Sequence, residues 1–354
     1  MDNLKAYLCN SVEKGVFPGG QYVIGNTNEI LEEDCFGTLD GSHPVQKDSL
    51  YDLASLTKVV TSIAVMRLLQ QGLLCMEDTL SEFLPDIDSF YPTYQGVDKG
   101  TITLLQIMTH TSKLHGPIQL FRSCDTEEKL IKAILATPSR DVHAAPVEYS
   151  CCGFILLKKV IEVITGMSLD KAFNSLIFEP LGMENVMFNP PASLLDNIAP
   201  TEFCRWRNKI VRGEVHDENA LVMGGISGNA GLFASAREVA KLARMLLTGK
   251  DGKGGDFLSP FIIKEMTKDH TKGLNLARGL GLQIKRGPGT HMGDLFSDGS
   301  FGHTGFTGTC MFVDPYRELF TVLLANRVHP SRENEKIFRS RRIFHNLVIV
   351  KYGK

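Results

Sequence analysis

Ser55 and Lys58 stand three residues apart in Tyr51-Asp52-Leu53-Ala54-Ser55-Leu56-Thr57-Lys58-Val59-Val60. Positions three apart share one face of an α-helix, so this spacing sets an amine against a hydroxyl. A serine hydroxyl is a weak nucleophile until a neighbour takes its proton. A lysine can take it directly or support a second base. The same spacing recurs at Ser11 with Lys14 and at Ser168 with Lys171. Ser11 falls on a polar, amphipathic stretch, and Ser168 reads as the N-cap of a helix that follows Gly166. Ser55 differs in what comes next, a long apolar run (Val59, Val60, Ile63, Ala64, Val65, Met66, Leu68, Leu69) that ends at Gly72. A nucleophile at the N-terminus of such a helix gains the positive end of the dipole and unpaired backbone N–H groups.

Two further stretches carry compatible chemistry. Tyr149 lies in Val147-Glu148-Tyr149-Ser150-Cys151-Cys152-Gly153, just before a helix expected over 153–165. A lysine nearby favours the phenolate and would bring the tyrosine below its usual value of about 10, making it a base for Ser55. The structural alternative is a ring packed at a loop–helix junction. Phe301-Gly302-His303-Thr304-Gly305-Phe306-Thr307-Gly308 places a polar triplet between glycines at the entry to a strand. Glycines let backbone approach a ligand, a strand edge offers N–H groups to an oxyanion, and His303 titrates near neutrality. Its structural alternative is a surface histidine in a turn.

The elements that must position these residues follow from pattern. Residues 2–14 read as a short helix, and 21–25 and 29–36 as a hairpin around Asn26-Thr27-Asn28. From about 73 to 195 the pattern is mostly helical, with segments at 77–84, 103–110, 127–136, 153–165 and 168–177. A helix is expected at 236–248, a strand pair at 308–313 and 319–326 around Asp314-Pro315-Tyr316-Arg317, and a final helix at 332–350. The run Gly224-Gly225-Ile226-Ser227-Gly228-Asn229-Ala230-Gly231 lacks the Lys-Ser/Thr ending of a phosphate loop and reads as tight backbone turns. This order predicts an α/β (α+β) fold, with a mainly antiparallel sheet built from both ends of the chain and helices inserted between. Residues 1–72 with 200–354 form the expected α/β domain, and 73–199 a mostly helical insert carrying Tyr149.

Composition narrows the class. With 354 residues, 43% hydrophobic and 22% charged, the chain is an ordinary globular one with room for a sizeable core. A formal net charge of −2 gives no reason to expect nucleic acid as partner, and Arg339-Ser340-Arg341-Arg342 reads as a solvated helix face. No stretch approaches the roughly 18 apolar residues of a membrane span, and the first residues lack the form of a secretory peptide. Eight cysteines without C-x-x-C rhythm suit free thiols. A cytoplasmic location is therefore expected.

Taken together, Ser55-x-x-Lys58, Tyr149 about ninety residues on, and His303-Thr304-Gly305 near the C-terminus resemble the β-lactamase and penicillin-binding protein superfamily. The match is best to its class C β-lactamase, DD-peptidase and esterase branch. Stretches 15–20, 50–60, 102–114, 149–166, 180–183, 230–240 and 302–309 are similar in the same order, which covers nearly the whole chain. The resemblance implies a metal-independent and cofactor-independent serine hydrolase. Ser55 would be acylated, Lys58 would assist its deprotonation, and Tyr149 would act as general base and then acid. His303 would orient Tyr149 or a substrate carboxylate, and the N–H groups of Ser55 and Phe306 would form the oxyanion hole. Cys151, Thr304 and Gly305 would line the substrate site.

Two departures stand out. Cys151 replaces the family's usual asparagine, and a thiol is a weak donor and acceptor. His303 stands where lysine is common, which predicts only partial charge at neutral pH and carboxylate capture that weakens as pH rises. The expected substrates are small-molecule esters, amides, D-amino-acid peptides or β-lactams. The alternative is a penicillin-recognising sensor that acylates without turnover, with a catalytically silent scaffold as a further rival. Trp206 would either line the cleft or pack against its neighbouring arginines.

Overall fold

The computed structural model describes residues 4–84, 99–116, 118–140 and 145–353. Expectations at 2–3, 85–98, 117 and 141–144 lie outside the described residues. The central sheet has six strands: β1 (Gly19–Asn26), β2 (Ile30–Gly37), β6 (Gln283–Ile284), β7 (Phe301–Thr304), β8 (Cys310–Asp314) and β9 (Leu319–Ala325). Their spatial order is β2-β1-β9-β8-β7-β6, and every pair is antiparallel. The expected α/β fold, with its sheet drawn from both ends of the chain, is the one observed. A second sheet joins β3 (Tyr51–Asp52), β5 (Leu232–Ala234) and β4 (Val186–Phe188) in that order.

The sheet's strands alternate between two apolar faces, which is why both are covered. Tyr22, Ile24, Phe312 and Leu323 face one cluster, made with α1 (Leu4–Glu13) and α5 (Ile337–Tyr352). Val23, Met311, Val313, Val322 and Leu324 face the main core, where α4 (Ala236–Thr248) lies on β1, β8 and β9. The hairpin forms as its pattern predicts, with a register shift between Ile24 and Gly25.

Helix α2 (Thr57–Gln70) runs through the main core and packs against α3 (Cys152–Thr165). It is buried all round: Thr57 to Met66 and Leu68 are all inaccessible. The apolar sequence explains this, because a helix without a polar face has no side to turn to water. Thr61 and Ser62 satisfy their hydroxyls on backbone carbonyls, Thr61 Oγ1 donating to Gly228 O at 2.7 Å and Ser62 Oγ to Lys58 O at 2.9 Å. Ser11 and Ser168 take structural places. Ser11 Oγ donates to Tyr7 O at 3.0 Å, and Ser168 stands at the N-cap of Leu169–Phe173, though its side chain makes no cap bond.

All eight cysteines are free thiols. No helix among the described residues is long and apolar enough to cross a membrane. Truncating the buried helix should be costly. Ile63→Ala is expected to destabilise by about 2–5 kcal/mol in urea unfolding, whereas Val163→Ala on the exposed side of α3 (Val163 is 55% exposed) should stay within about 0.5 kcal/mol.

Candidate active site

Ser55 sits in a single 3₁₀ turn, Ala54–Leu56, between β3 and α2. The residue before it, Ala54, has φ +46°, a left-handed conformation that costs a non-glycine residue about 1–3 kcal/mol. Buried Asp52 holds the turn in place. Its Oδ1 accepts from Ala54 N at 2.7 Å and its Oδ2 from His216 N at 2.6 Å. From the other side, Thr307 Oγ1 donates to Asp52 O at 2.7 Å and Thr309 Oγ1 to Leu53 O at 3.1 Å. The loop after β7 is thereby stapled to the serine's turn. Gly305 is required there, since a Cβ would lie 2.0 Å from Thr309 Oγ1 and 2.5 Å from Leu53 O.

Two predicted residues converge on the oxygen of a third. Ser55 Oγ accepts from Lys58 Nζ at 3.1 Å and from the Tyr149 hydroxyl at 2.7 Å. Lys58, with no exposure, also donates to Asn229 O at 2.9 Å and to Cys151 Sγ at 3.5 Å. The glycine-rich run forms tight turns as expected, with positive φ at Gly224, Gly225 and Gly231. It also delivers the Asn229 carbonyl to the lysine. Gly228 lets it come that close, since a Cβ there would meet Phe154 O at 2.2 Å.

The charges differ in part from expectation. Burial works against the Lys58 ammonium, but the Cys151 and Tyr149 groups outweigh it and hold the lysine protonated, above its ordinary range. Burial pushes the Tyr149 phenol up rather than down, with Lys58 opposing. The expected low-lying phenolate is thus not the resting state: desolvation of an anion outweighs the attraction of the Lys58 cation beside it. His303 is corrected as well. Burial, then the Lys58 and Arg278 cations, push it down to about 3, so it is neutral at pH 7 rather than partly charged. Its Nδ1 lies 2.8 Å from Thr304 O. A carbonyl only accepts, so Nδ1 carries the proton and Nε2 the lone pair.

Two tilted imidazole rings lie against the tyrosine. The His303 and Tyr149 centroids are 5.9 Å apart, and His110 lies 4.8 Å from Tyr149 on another side. His110, in a left-handed conformation at φ +59°, accepts from Ser150 N at 3.1 Å and so orders the segment that carries Tyr149. Thr304 and Gly305 follow His303 at the end of β7, and Phe306 is exposed beyond them, stacked on His216 at 5.5 Å. The Phe306 N–H lies in the loop that is pinned to the serine's turn. Trp206 does not join this cluster. It packs edge-on to Phe121 at 4.9 Å and lines a separate cavity of about 560 Å³.

Reasoning from sequence missed His110, Asn229, Asp52 and Arg278. His110 and Asp52 lie in stretches similar to the superfamily, but no spacing rule points to them. Arg278 comes from a loop without pattern, yet its guanidinium carbon lies 5.8 Å from the Tyr149 ring centroid.

A family model described as Beta-lactamase matches residues 4–345. A curated relative from Salmonella agona, named "Putative D-alanyl-D-alanine carboxypeptidase", is 28% identical over 370 residues, covering 95% of this chain and 85% of the relative. Among solved structures, EstCE1, described as a hydrolase with promiscuous acyltransferase activity, superposes with a TM-score of 0.76 at 20% identity, over 96% of this chain and 97% of its own. A penicillin-binding protein homologue from Caulobacter crescentus superposes with a TM-score of 0.75 at 20% identity, over 98% and 96%. At these identities the two structures establish likeness of fold.

Buried histidines, one at the site and one on α5, couple the fold to acid stability. His303 and His345 are both held at about 3, chiefly by burial, against 6.5 when unfolded. A depressed folded value means the contribution is complete above pH 6.5 and is lost as pH falls from there toward 3. Each should remove about 1.4 kcal/mol per pH unit in that window. Urea midpoints are expected to drop steeply from pH 6.5 to 4.5, and His345→Phe should flatten that slope.

Proposed function

The chain belongs to the beta-lactamase family, and from that premise we propose that it is a serine hydrolase that works through an acyl-enzyme on carboxylic esters or amides. One observation carries the reading: Ser55 Oγ receives hydrogen bonds from both Lys58 and Tyr149, at 3.1 and 2.7 Å, beside a loop whose Thr307 and Thr309 hydroxyls are bonded to the same turn. The likeness to a relative named as a D-alanyl-D-alanine carboxypeptidase supports peptides ending in D-alanine as one substrate class. The likeness to EstCE1 supports esters as another. The helical stretch 73–199 is, in this reading, the unit that shapes the pocket against the domain formed by 1–72 and 200–354.

The chemistry follows from the charges. Lys58 stays an ammonium, so it is a poor base and instead supplies a fixed positive charge. Tyr149, once it has lost its proton, takes the proton of Ser55 Oγ as that oxygen bonds to the substrate carbonyl carbon. The carbonyl electrons move to oxygen, where the N–H groups of Ser55 and Phe306 stabilise them. Collapse breaks the bond to the leaving group, which receives the proton from Tyr149. Water then attacks the acyl-Ser55 ester by the same route, returning the proton to the serine. His303, neutral and with its lone pair free, holds the Tyr149 ring in place. Cys151 occupies a substrate-facing position with little hydrogen-bonding power.

Intact-protein mass and p-nitrophenyl ester turnover test the proposal together. Ser55→Ala should abolish both turnover and any penicillin adduct, and Tyr149→Phe should lower kcat/KM by about 10²–10⁴-fold. Full ester turnover by Ser55→Ala would refute it. A stable penicillin adduct without ester turnover would assign the sensor role instead. The phenolate is the active form and burial raises its pKa, so kcat/KM should climb with pH from 6 to beyond 9. No inflection from His303 should appear above pH 4.

A further inference from the structure

One surface element takes no part in these steps. Phe203–Cys204 and Lys209–Ile210 form a two-stranded antiparallel hairpin that belongs to neither of the larger sheets. Successive side chains of a strand point to opposite faces, and residues paired directly across share one face. Cys204 is buried and anchors the inner face. Phe203 and Ile210 are paired with one another on the other face, with exposures of 48% and 51%. Trp206, in the turn between the strands, is 45% exposed. Single exposed apolar side chains are ordinary, but three large ones gathered on one hairpin mark an interaction surface.

The same stretch is basic, in a chain whose formal net charge is −2. Residues 203–214 carry Arg205, Arg207, Lys209 and Arg212 with Glu214 as the one carboxylate. Glu214 is shared between Arg207 at 2.9 Å and Lys209 at 3.0 Å, and Arg212 lies 3.2 Å from Asp40. Arg205 has no carboxylate partner among the described residues. Nor has Arg122, which is exposed beside the Phe121 ring that Trp206 packs against. Positive charge is therefore left over around the apolar tips. The hairpin is also held in place beforehand. Arg207 donates to Val215 O at 2.7 Å and to His216 O at 3.0 Å, and Phe203 N donates to Pro330 O at 3.1 Å. Little ordering cost then remains to be met on docking.

We propose that this hairpin docks the protein on the surface of an anionic lipid bilayer. Phe203, Trp206 and Ile210 enter the headgroup region, and Arg205, Lys209 and Arg122 meet the lipid phosphates. The unmatched cations call for an anionic surface, and the apolar tips call for one with an apolar layer beneath it. Nucleic acid would reward the two aromatic rings by stacking but offers nothing to Ile210. A stable protein interface takes about 800 Å² from each partner, and three half-exposed side chains fall well short of that. A bilayer needs no matching shape, so a small tip suffices. This assignment is independent of the acyl-enzyme reading.

Trp206 is the only tryptophan in the sequence, so its fluorescence reports the hairpin alone. Vesicles of seven parts phosphatidylcholine to three parts phosphatidylglycerol should sediment the protein and move its emission to shorter wavelength, and brominated acyl chains should quench it. Vesicles of phosphatidylcholine alone should bind about tenfold more weakly or worse, and about 0.5 M salt should release the protein from the anionic ones. Arg205→Glu should weaken partitioning by about fivefold or more, the effect of one surface cation. The double variant Phe203→Ser, Ile210→Ser should weaken it by about tenfold or more. Both variants change exposed side chains and should keep the wild-type melting temperature, and Arg205→Glu keeps the test readable if the double variant does not. Phe261→Ser, which removes an 83% exposed ring elsewhere on the surface, should bind as the wild type does. Equal binding to neutral vesicles, an unmoved emission, full binding by Arg205→Glu or by the double variant, or an equal loss in Phe261→Ser would each overturn the proposal. So would the same emission shift with a single-stranded oligonucleotide or with polyglutamate, which would reassign the hairpin to nucleic acid or to an acidic protein.

Discussion

A lysine ammonium sealed from water sits at the centre of this molecule. Such a charge is tolerated only where its three N–H groups find partners, and here each comes from a different part of the chain. Ser55 lies three residues back in the 3₁₀ turn that leads into the helix, Asn229 is on a glycine-rich loop, and Cys151 opens the helix that packs across. The need to satisfy Lys58 therefore dictates how these elements meet. Gly228 has no side chain because the loop must pass against Phe154, and α2 has no polar face because it lies beneath all of them.

The same arrangement is preorganised at the serine itself. Ala54 is held in a left-handed conformation by Asp52 on one side and by hydroxyls of the strand loop on the other. That loop and the serine turn are consequently a single rigid unit, although about 250 residues separate them in sequence. The position of an N–H relative to Ser55 Oγ does not depend on a flexible segment settling after substrate arrives.

Much of this was legible in the residues alone. The apolar run after Ser55 marked a buried helix, and the turn-bounded stretches near 21–36 and 308–326 marked four of the six strands that form the sheet. Ser55, Lys58 and Tyr149 were legible because each combines a reactive side chain with a helix start. What escaped was set by tertiary environment. The phenol of Tyr149 is pushed up and His303 is left uncharged because both are desolvated, and burial of individual atoms has no signature in spacing. Arg278 escaped because one arginine in an irregular loop looks like any surface arginine until its partners can be counted. The N-cap at Ser168 is legible as a position but not as a bond, since its side chain makes no cap hydrogen bond.

The sheet order bears on how the chain reaches this state. Strand β1, formed by Gly19–Asn26, lies between β2 and β9, and its register on β9 joins Gly20 to Ala325 and Asn26 to Leu319. An early hairpin of β1 and β2 can form locally, but one edge of it stays unpaired until nearly the whole chain has been made. Contacts of such separation close slowly, because loop entropy is lost before pairing offsets it. During synthesis the hairpin's open edge is exposed to other chains. Aggregation during biosynthesis, rather than marginal stability of the finished fold, is the hazard that this topology carries.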